Sequence, residues 1–310
     1  MRVLIAGGSG FLGQKLAIRL KADGHRVQVL TRRAASSPDT INWNPDGTPG
    51  ALPQHFDGAD AVVNLAGETL ARWPWTAERK HAIRMSRILS TRTIASAIAQ
   101  CARPPGVFVS GSAVGYYGPR GDEPVTESTV PGTDFLARVC VEWEQEARAA
   151  DSAATRLCII RTGLPLSTSG GAFPLMLLPF KFALGGTVGS GRQYVPWIHV
   201  DDWTSLVMWT ITTDSASGAF NATAPEPVTN REFGRTVGGV LGRPAVVPAP
   251  AFAMRLVLGE MSTLLLTGQR AVPAHAEQIG FRFSYRALEP ALKSLLSPSA
   301  LRATADKERK

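Results

Sequence analysis

Residues 1–13, MRVLIAGGSGFLG, set an apolar run from Val3 to Ala6 directly against Gly7, Gly8, Ser9, Gly10, Phe11, Leu12 and Gly13. The order predicts a buried strand that ends in a glycine turn and opens a helix over the amphipathic segment Gln14 to Lys21. Glycine takes positive φ and lets the backbone come close to a ligand. Gly7, Gly10 and Gly13 therefore fit a tight turn, the approach of a pyrophosphate and close packing of helix on strand. Amides that open a helix lack intrahelical partners and attract phosphate charge. Gly7, Ser9, Gly10, Phe11, Leu12 and Gly13 are accordingly the candidate contacts for a dinucleotide.

Composition narrows the class. A chain of 310 residues buries a large core, and 44% apolar against 19% charged residues is the make-up of an ordinary globule. Cys101, Cys140 and Cys158 are far apart, odd in number and in no C-x-x-C pair, so neither a disulfide framework nor a metal site is indicated. A reducing cytosol fits best, and the expected location is cytoplasmic. The opening apolar run is too short for a signal peptide. The longest apolar stretch, Ala172 to Leu184, contains Pro174, Pro179 and Lys181 and falls short of the roughly 20 residues a membrane span needs, so no membrane partner is expected. The net charge of +8 is scattered apart from Asp306 to Lys310, which reads as a solvated basic surface and not as a nucleic-acid face.

Outward from the glycine turn, Asp23-Gly24-His25 stops the first helix and Arg26 to Leu30 reads as a second buried strand. It ends in Thr31-Arg32-Arg33. In dinucleotide folds this position faces the adenosine ribose, where an acid accepts from the 2′-hydroxyl and an arginine pairs with a 2′-phosphate. No acid is present, so Thr31 and Arg32 favour NADP(H) over NAD. Ala34 to Gly58 is loop-like, with a short strand candidate at Thr40 to Trp43. Asp60 to Leu65 is a third apolar strand, and Asn64, Leu65, Ala66, Gly67 and Glu68 at its end leave room for the adenosine side of a dinucleotide. Thr76 to Cys101 is helical in pattern and sets Lys80, Arg84, Arg87 and Thr91 on one face. That face is either solvated or, packed beside the cofactor, aims Lys80 and Arg87 at phosphate or ribose.

Strands at Gly106 to Ser110 and Thr155 to Arg161 flank a helix at Asp134 to Ala150. Alternating strands and helices specify parallel βαβ units, hence an α/β fold with a Rossmann-type doubly wound parallel sheet and helices on both faces. From Leu164 the pattern turns rich in glycine, proline and aromatics. Helices are expected at Asp201 to Thr213, Thr229 to Leu241, near Ala251 to Leu266 and at Ala287 to Leu296, with a strand at Ala219 to Thr223. The expected organisation is a nucleotide-binding domain over 1–163, to which 200–223 returns. A smaller substrate-side lobe over 164–199 and 224–297 and a loose tail over 298–310 complete it.

GGSGFLG, TRR, NLAGE, SAVGYYG, RTG, GGAFPLMLLPF, GSGRQYVPWIHVDD and the segment around GQRAVP together resemble the extended short-chain dehydrogenase/reductase superfamily. The likeness is to its atypical, epimerase-like subgroup, relatives of the NAD-dependent epimerase/dehydratase family with a C-terminal domain of unknown function. The resemblance covers nearly the whole chain. It implies NADP bound with Arg32 on the 2′-phosphate and Asn64 to Glu68 along the adenosine side, with Arg161 of the RTG segment among the cofactor residues.

One departure matters. Active members of the wider superfamily carry Tyr-x-x-x-Lys on the helix after the serine-containing strand. Here that helix reads Asp134-Phe135-Leu136-Ala137-Arg138-Val139-Cys140, with no tyrosine or lysine. Phenylalanine has no proton to exchange. The candidates to replace the missing acid are Ser112, by its place at the strand end, Tyr116 and Tyr117 with Arg120 nearby, and His199, which titrates in the useful range. Each also has a structural reading: turn former, packed aromatic, or a hydrogen-bonded histidine pinning two lobes. The sequence thus points to an NADP(H)-binding oxidoreductase or epimerase-like protein acting on a carbonyl or nucleotide-sugar-type small molecule. The alternative is an NADPH-binding regulatory or scaffold protein without turnover.

Overall fold

The computed structural model describes residues 1–34 and 37–297, so the tail expected over 298–310 lies outside the described residues. In chain order the elements of the first half are β1 (Arg2–Ala6), α1 (Phe11–Ala22), β2 (Arg26–Thr31), β3 (Thr40–Asn42), α2 (Leu52–Phe56), β4 (Ala61–Asn64), α3 (Ala77–Ile98), β5 (Val107–Ala113), β6 (Pro124–Val125), α4 (Phe135–Arg148) and β7 (Arg156–Thr162). The second half adds β8 (Leu164–Leu166), α5 (Phe173–Lys181), β9 (Tyr194–Val195), β10 (Trp197–His199), α6 (Val200–Thr212), β11 (Gly218–Ala222), β12 (Val228–Thr229) and α7 (Asn230–Leu241). It closes with α8 (Ala251–Leu258), α9 (Thr263–Leu266), β13 (Arg270–Ala271), α10 (Ala274–Gln278) and α11 (Leu288–Leu296).

Seven strands pair in parallel in the order β11-β7-β5-β4-β1-β2-β3. β1 is central, and Val3, Leu4, Ile5 and Ala6 are all fully buried. Because side chains alternate along a strand, β1 feeds two cores. Val3 and Ile5 pack with Val63, Val109 and Ile160 beneath Leu16 and Leu20 of α1 and Trp203, Leu206 and Val207 of α6. Leu4 and Ala6 pack with Val62, Phe108 and Ile159 against Ile94 and Ile98 of α3, Ala147 of α4 and Phe56 of α2. The sheet is therefore covered on both faces, which is what continuous apolar strands require.

A third core gathers Leu166, Phe173, Phe180, Trp197, Phe233, Val237, Leu288 and Leu292, joining α5, α7 and α11. The structure departs from the expected division of the second half at one place. Ala276, Phe281 and Phe283 belong to the core on the α1/α6 face of the sheet, and β13 pairs with β6. The C-terminal segment thus leaves the smaller lobe and packs onto the half built around the seven-stranded sheet. α5 also forms where the sequence suggested only glycine- and proline-rich irregularity; Pro174 sits in its first turn, where a missing N–H costs nothing, and Pro179 lies in the last. No helix among the described residues is long and apolar enough to cross a membrane.

Two glycines of the opening turn are held by contact. A Cβ on Gly13 would lie 2.2 Å from the Gly7 carbonyl oxygen, so replacing Gly13 by Ala is expected to destabilise the fold by about 1–3 kcal/mol, measurable by urea unfolding. The three thiols make a second check. Burial pushes Cys140 up to about 12 and Cys158 up to about 11, and it raises Cys101 as well. Since the thiolate is the reactive form, the native chain is expected to react negligibly with a thiol reagent at pH 8 and with three equivalents once unfolded in guanidinium.

Candidate functional site

The glycine turn is built from the strand outward. Gly7 has φ +76°, and a Cβ there would stand 2.6 Å from the Leu65 carbonyl, so the turn lies directly against the loop that leaves β4. Leu65 N–H donates to the Ala6 carbonyl at 2.9 Å, and Gly10 N–H to the Gly7 carbonyl at 2.9 Å. Gly10 is the N-cap of α1 and brings no capping side chain, so the amides that open the helix have no intrahelical or side-chain acceptor. Over Gly10, only the Gly7 oxygen comes near, at 3.2 Å from a built Cβ. This cradle fits a pyrophosphate: open backbone donors at a helix N-terminus. Ser9 is exposed beside it, Leu12 packs against the core of the α1 face, and Gln14 Nε2 donates to the Ser9 carbonyl at 3.0 Å. The Phe11 ring is met by the Gly170-Gly171 turn, where a Cβ on Gly170 would sit 2.6 Å from it. Gly170 and Gly171 are thus site residues that sequence reasoning missed; their only signal was the paired glycine itself.

At the end of β2, Thr31 Oγ1 accepts from Arg33 N–H at 3.1 Å, and Arg32 is exposed without an ion-pair partner among the described residues. Across from it, Asn64 is fully buried: its Nδ2 donates to Thr91 Oγ1 at 2.9 Å and its Oδ1 accepts from Ala66 N–H at 3.1 Å. Asn64 therefore shapes the loop, and Ala66 and Gly67 present backbone to the cleft. Glu68 pairs with Arg79 at 2.7 Å. Its carboxyl is held below the usual range, chiefly by the hydrogen bond from Arg79, with further contributions from the charges of Arg32 and Arg72. Arg87 lies against Gly67, 3.3 Å from a built Cβ, donates to the Ile83 carbonyl at 2.9 Å, and has no carboxylate partner among the described residues. Burial lowers its pKa. The charges of Arg32, Arg72, Arg79 and Arg87 thus all act on the one acid Glu68, an excess of positive charge beside the ends of β2 and β4. Lys80 is placed elsewhere: its Nζ contacts both Glu260 oxygens, at 2.9 and 2.8 Å.

The proposed acid-base groups are drawn into a buried network. Arg161 and Glu144, each about 3% exposed, pair through two bonds of 2.8 Å. Ser112 Oγ donates to Glu144 Oε1 at 2.7 Å. Arg161 also donates to the Tyr117 hydroxyl at 3.0 Å and the Glu127 carbonyl at 3.0 Å, and the Tyr117 hydroxyl donates to Asn221 Oδ1 at 2.6 Å. Three expectations change. Arg161, expected among the cofactor residues, is spent on Glu144, the Tyr117 hydroxyl and the Glu127 carbonyl. Ser112 points under α4 with its proton committed. Tyr117 is fully buried, and burial outweighs the neighbouring Arg161 to push its hydroxyl up to about 12. Arg120 does not assist it; the Arg120 side chain donates to the backbone carbonyls of Tyr117 and Val130. Tyr116 remains partly exposed, its ring 3.6 Å from the Arg161 guanidinium carbon.

His199 is also withdrawn. It is 2% exposed, stacks on Tyr285 at 3.9 Å, accepts from Asp201 N–H through Nδ1 at 3.1 Å and meets Ser294 Oγ through Nε2 at 3.1 Å. Burial lowers its pKa. Since Ser294 donates to the Ala291 carbonyl, the network assigns the imidazole proton to Nε2. A neutral histidine with both nitrogens occupied clasps α6 to α11. Asp202 does the same for the next segment, accepting from Ser284 and Tyr285 N–H at 2.9 and 2.8 Å.

The fold as a whole recurs in known proteins. Residues 3–222 match the NAD dependent epimerase/dehydratase family, and residues 249–295 match a domain of unknown function, DUF1731. The chain belongs to that epimerase/dehydratase family. It is 40% identical over 293 residues to the epimerase family protein ML0860 of Mycobacterium leprae, covering 94% of each chain. The crystal structure of human epimerase family protein SDR39U1 with NADPH is 34% identical, covers 96% of this chain and 100% of its own, and superposes with a TM-score of 0.89. A nucleoside-diphosphate sugar epimerase from Corynebacterium glutamicum is 32% identical over 100% of this chain and 62% of its own, with a TM-score of 0.80. The epimerase-like resemblance read from the motifs is thereby shown, as is the Rossmann-type fold.

The network sets two measurable expectations. Glu144→Gln leaves Arg161 buried without its counter-charge and is expected to cost about 3–5 kcal/mol, whereas Ser112→Ala, which keeps the ion pair, costs about 1 kcal/mol; urea unfolding separates them. The raised Tyr117 pKa fixes a sign. The stability of the neutral buried phenol is complete below the unfolded value of about 10 and is lost as pH rises toward about 12. Absorbance at 295 nm is expected to show a late-ionising tyrosine that Tyr117→Phe removes.

Proposed function

We propose that the chain is an NADP(H)-binding member of its family and that its bound dinucleotide is not served by Ser112, Tyr117 or His199 as acid or base. One observation carries the cofactor preference. Arg32 stands at the end of β2 with no ion-pair partner among the described residues, and its charge acts with those of Arg72, Arg79 and Arg87 on the acid Glu68. A 2′-phosphate would supply the anionic charge that this group of guanidiniums lacks. Gly7, Gly10, Phe11, Leu12 and Gly13 would hold the pyrophosphate, Leu65, Ala66 and Gly67 the adenosine face, and Thr31 and Arg32 the 2′-phosphate. The NADPH carried by the human relative at 34% identity supports the same choice. Bound there, the cofactor supplies a transferable hydride; the residues named only position it.

The committed hydrogen bonds of Ser112, Tyr117 and His199 favour a protein that holds NADPH for regulation or scaffolding over one that turns it over through those groups. A second reading, reduction or epimerisation of a carbonyl or nucleotide-sugar-type substrate, is favoured by the partly exposed Tyr116, the one candidate whose hydroxyl is outside the buried network. NADPH with carbonyl substrates followed at 340 nm, and NADP+ with nucleotide sugars followed by NMR of the sugar product because epimerisation consumes no net cofactor, separate the two. Tight binding that raises the melting temperature with neither NADPH consumption nor epimerised product supports the first; turnover abolished by Tyr116→Phe supports the second. Turnover that persists in Tyr116→Phe refutes both assignments.

Arg32→Ala is expected to weaken NADPH by about 1–3 kcal/mol while changing NADH little, as read by calorimetric titration of both dinucleotides. Equal losses would remove the 2′-phosphate role.

A further inference from the structure

Three elements meet beside the cofactor cleft without a part in the dinucleotide cradle: the first turns of α3, the first residue of α4, and the 259–262 turn of the C-terminal segment. Lys80 leaves α3 so that its Nζ lies 4.7 Å from the centroid of the Phe135 ring. Trp75 meets the same ring edge-on, with centroids 6.1 Å apart. Over this floor Glu260 reaches in from the C-terminal segment and places both carboxylate oxygens on the ammonium, the two side chains being 30% and 45% exposed.

The site lies where ligands enter such folds. α3 and α4 follow β4 and β5, so their N-termini stand at the carboxyl ends of the strands and present the positive ends of two helix dipoles. The nearby acid, Asp134, is taken up in capping the amides of Leu136 and Ala137. The lysine is thus a cation beside an aromatic ring, met among the described residues by one displaceable carboxylate. Displacement is cheap on two counts. An exposed ion pair contributes at most about 1 kcal/mol, and α8, which leads to Glu260, has no buried residue, with Phe252, Leu256 and Val257 exposed by 73%, 84% and 61%.

We infer that Lys80, Phe135 and Trp75 form a binding site for an organic anion, a carboxylate or phosphate joined to a flat apolar body, and that Glu260 occupies the place of the ligand's anionic group. The ammonium binds the charge, the two rings receive the apolar body, and the 259–262 turn moves aside. The inference deepens the reading of the cleft as a small-molecule site, but the contacts it uses belong to this chain alone and do not require the dinucleotide to be bound.

The test is calorimetric titration of the full chain with benzoate and phenyl phosphate, with inorganic phosphate as the comparison, at low ionic strength, with and without NADPH. Glu260→Gln removes the competitor and is expected to tighten both aromatic anions about fivefold, the equivalent of one exposed ion pair. Lys80→Met is expected to abolish their binding, and Lys80→Arg to restore it. Affinity unchanged in Glu260→Gln, or retained in Lys80→Met, overturns the inference. So does inorganic phosphate binding as tightly as phenyl phosphate, since the rings then contribute nothing. NADPH titrated into the same samples keeps the two readings apart. Loss of anion binding with NADPH binding intact overturns this inference alone. Absent NADPH binding with lysine-dependent anion binding overturns the cofactor reading alone.

Discussion

The ion pair between Glu144 and Arg161 is the contact on which the carboxyl end of the sheet depends. Two charges at about 3% exposure are tolerated only when their remaining hydrogen-bonding capacity is met. Here Ser112, Tyr117 and the Glu127 carbonyl meet it. The pair thereby fastens β5, α4 and β7 to one another, and through Asn221 it reaches β11 and the Val272 carbonyl of the C-terminal segment. Side chains that look like a catalytic inventory in one dimension become the lining of a buried charge in three.

That difference explains how far the sequence could be read. The strands and helices of the first half were legible because they are long and carry the period of their class. β1 and β4 carry continuous apolar runs, β2 alternates Val27, Val29 and Leu30 with polar residues, and α1 follows its glycine turn. The cradle was legible for the same reason: a glycine that must take positive φ, or must admit a carbonyl at contact distance, announces a local constraint. Arg32 was readable because its role depends on the residue type at one known strand end.

The functional candidates kept more than one reading where the deciding fact was non-local. Nothing near Ser112 in the chain says that Glu144 will accept its hydrogen bond, nor near His199 that Ser294 and Tyr285 will enclose it. Arg161 reads equally well as a cofactor contact or a counter-ion, and only its distance to Glu144 separates them. α5 and the short strands of the second half were missed because proline and glycine dominate their local signal. The return of residues 276–283 to the sheet was missed because it is fixed by partners far back in the chain. Lys80 was read as a candidate for phosphate or ribose, and the carboxylate that meets it comes from a distant part of the chain, Glu260.

The clasps made by Asp202 and His199 bear on the order in which the protein is made. The core on the α1/α6 face includes Ala276, Phe281 and Phe283, and the carboxylate of Asp202 finds its donors only at Ser284 and Tyr285. A chain emerging from the ribosome therefore carries a sheet that is complete at β11 but whose surface still shows an uncovered apolar strip and an unanswered buried acid. Residues 276–285 are thus the closing piece of the sheet domain, which reaches its final stability only after they have been made.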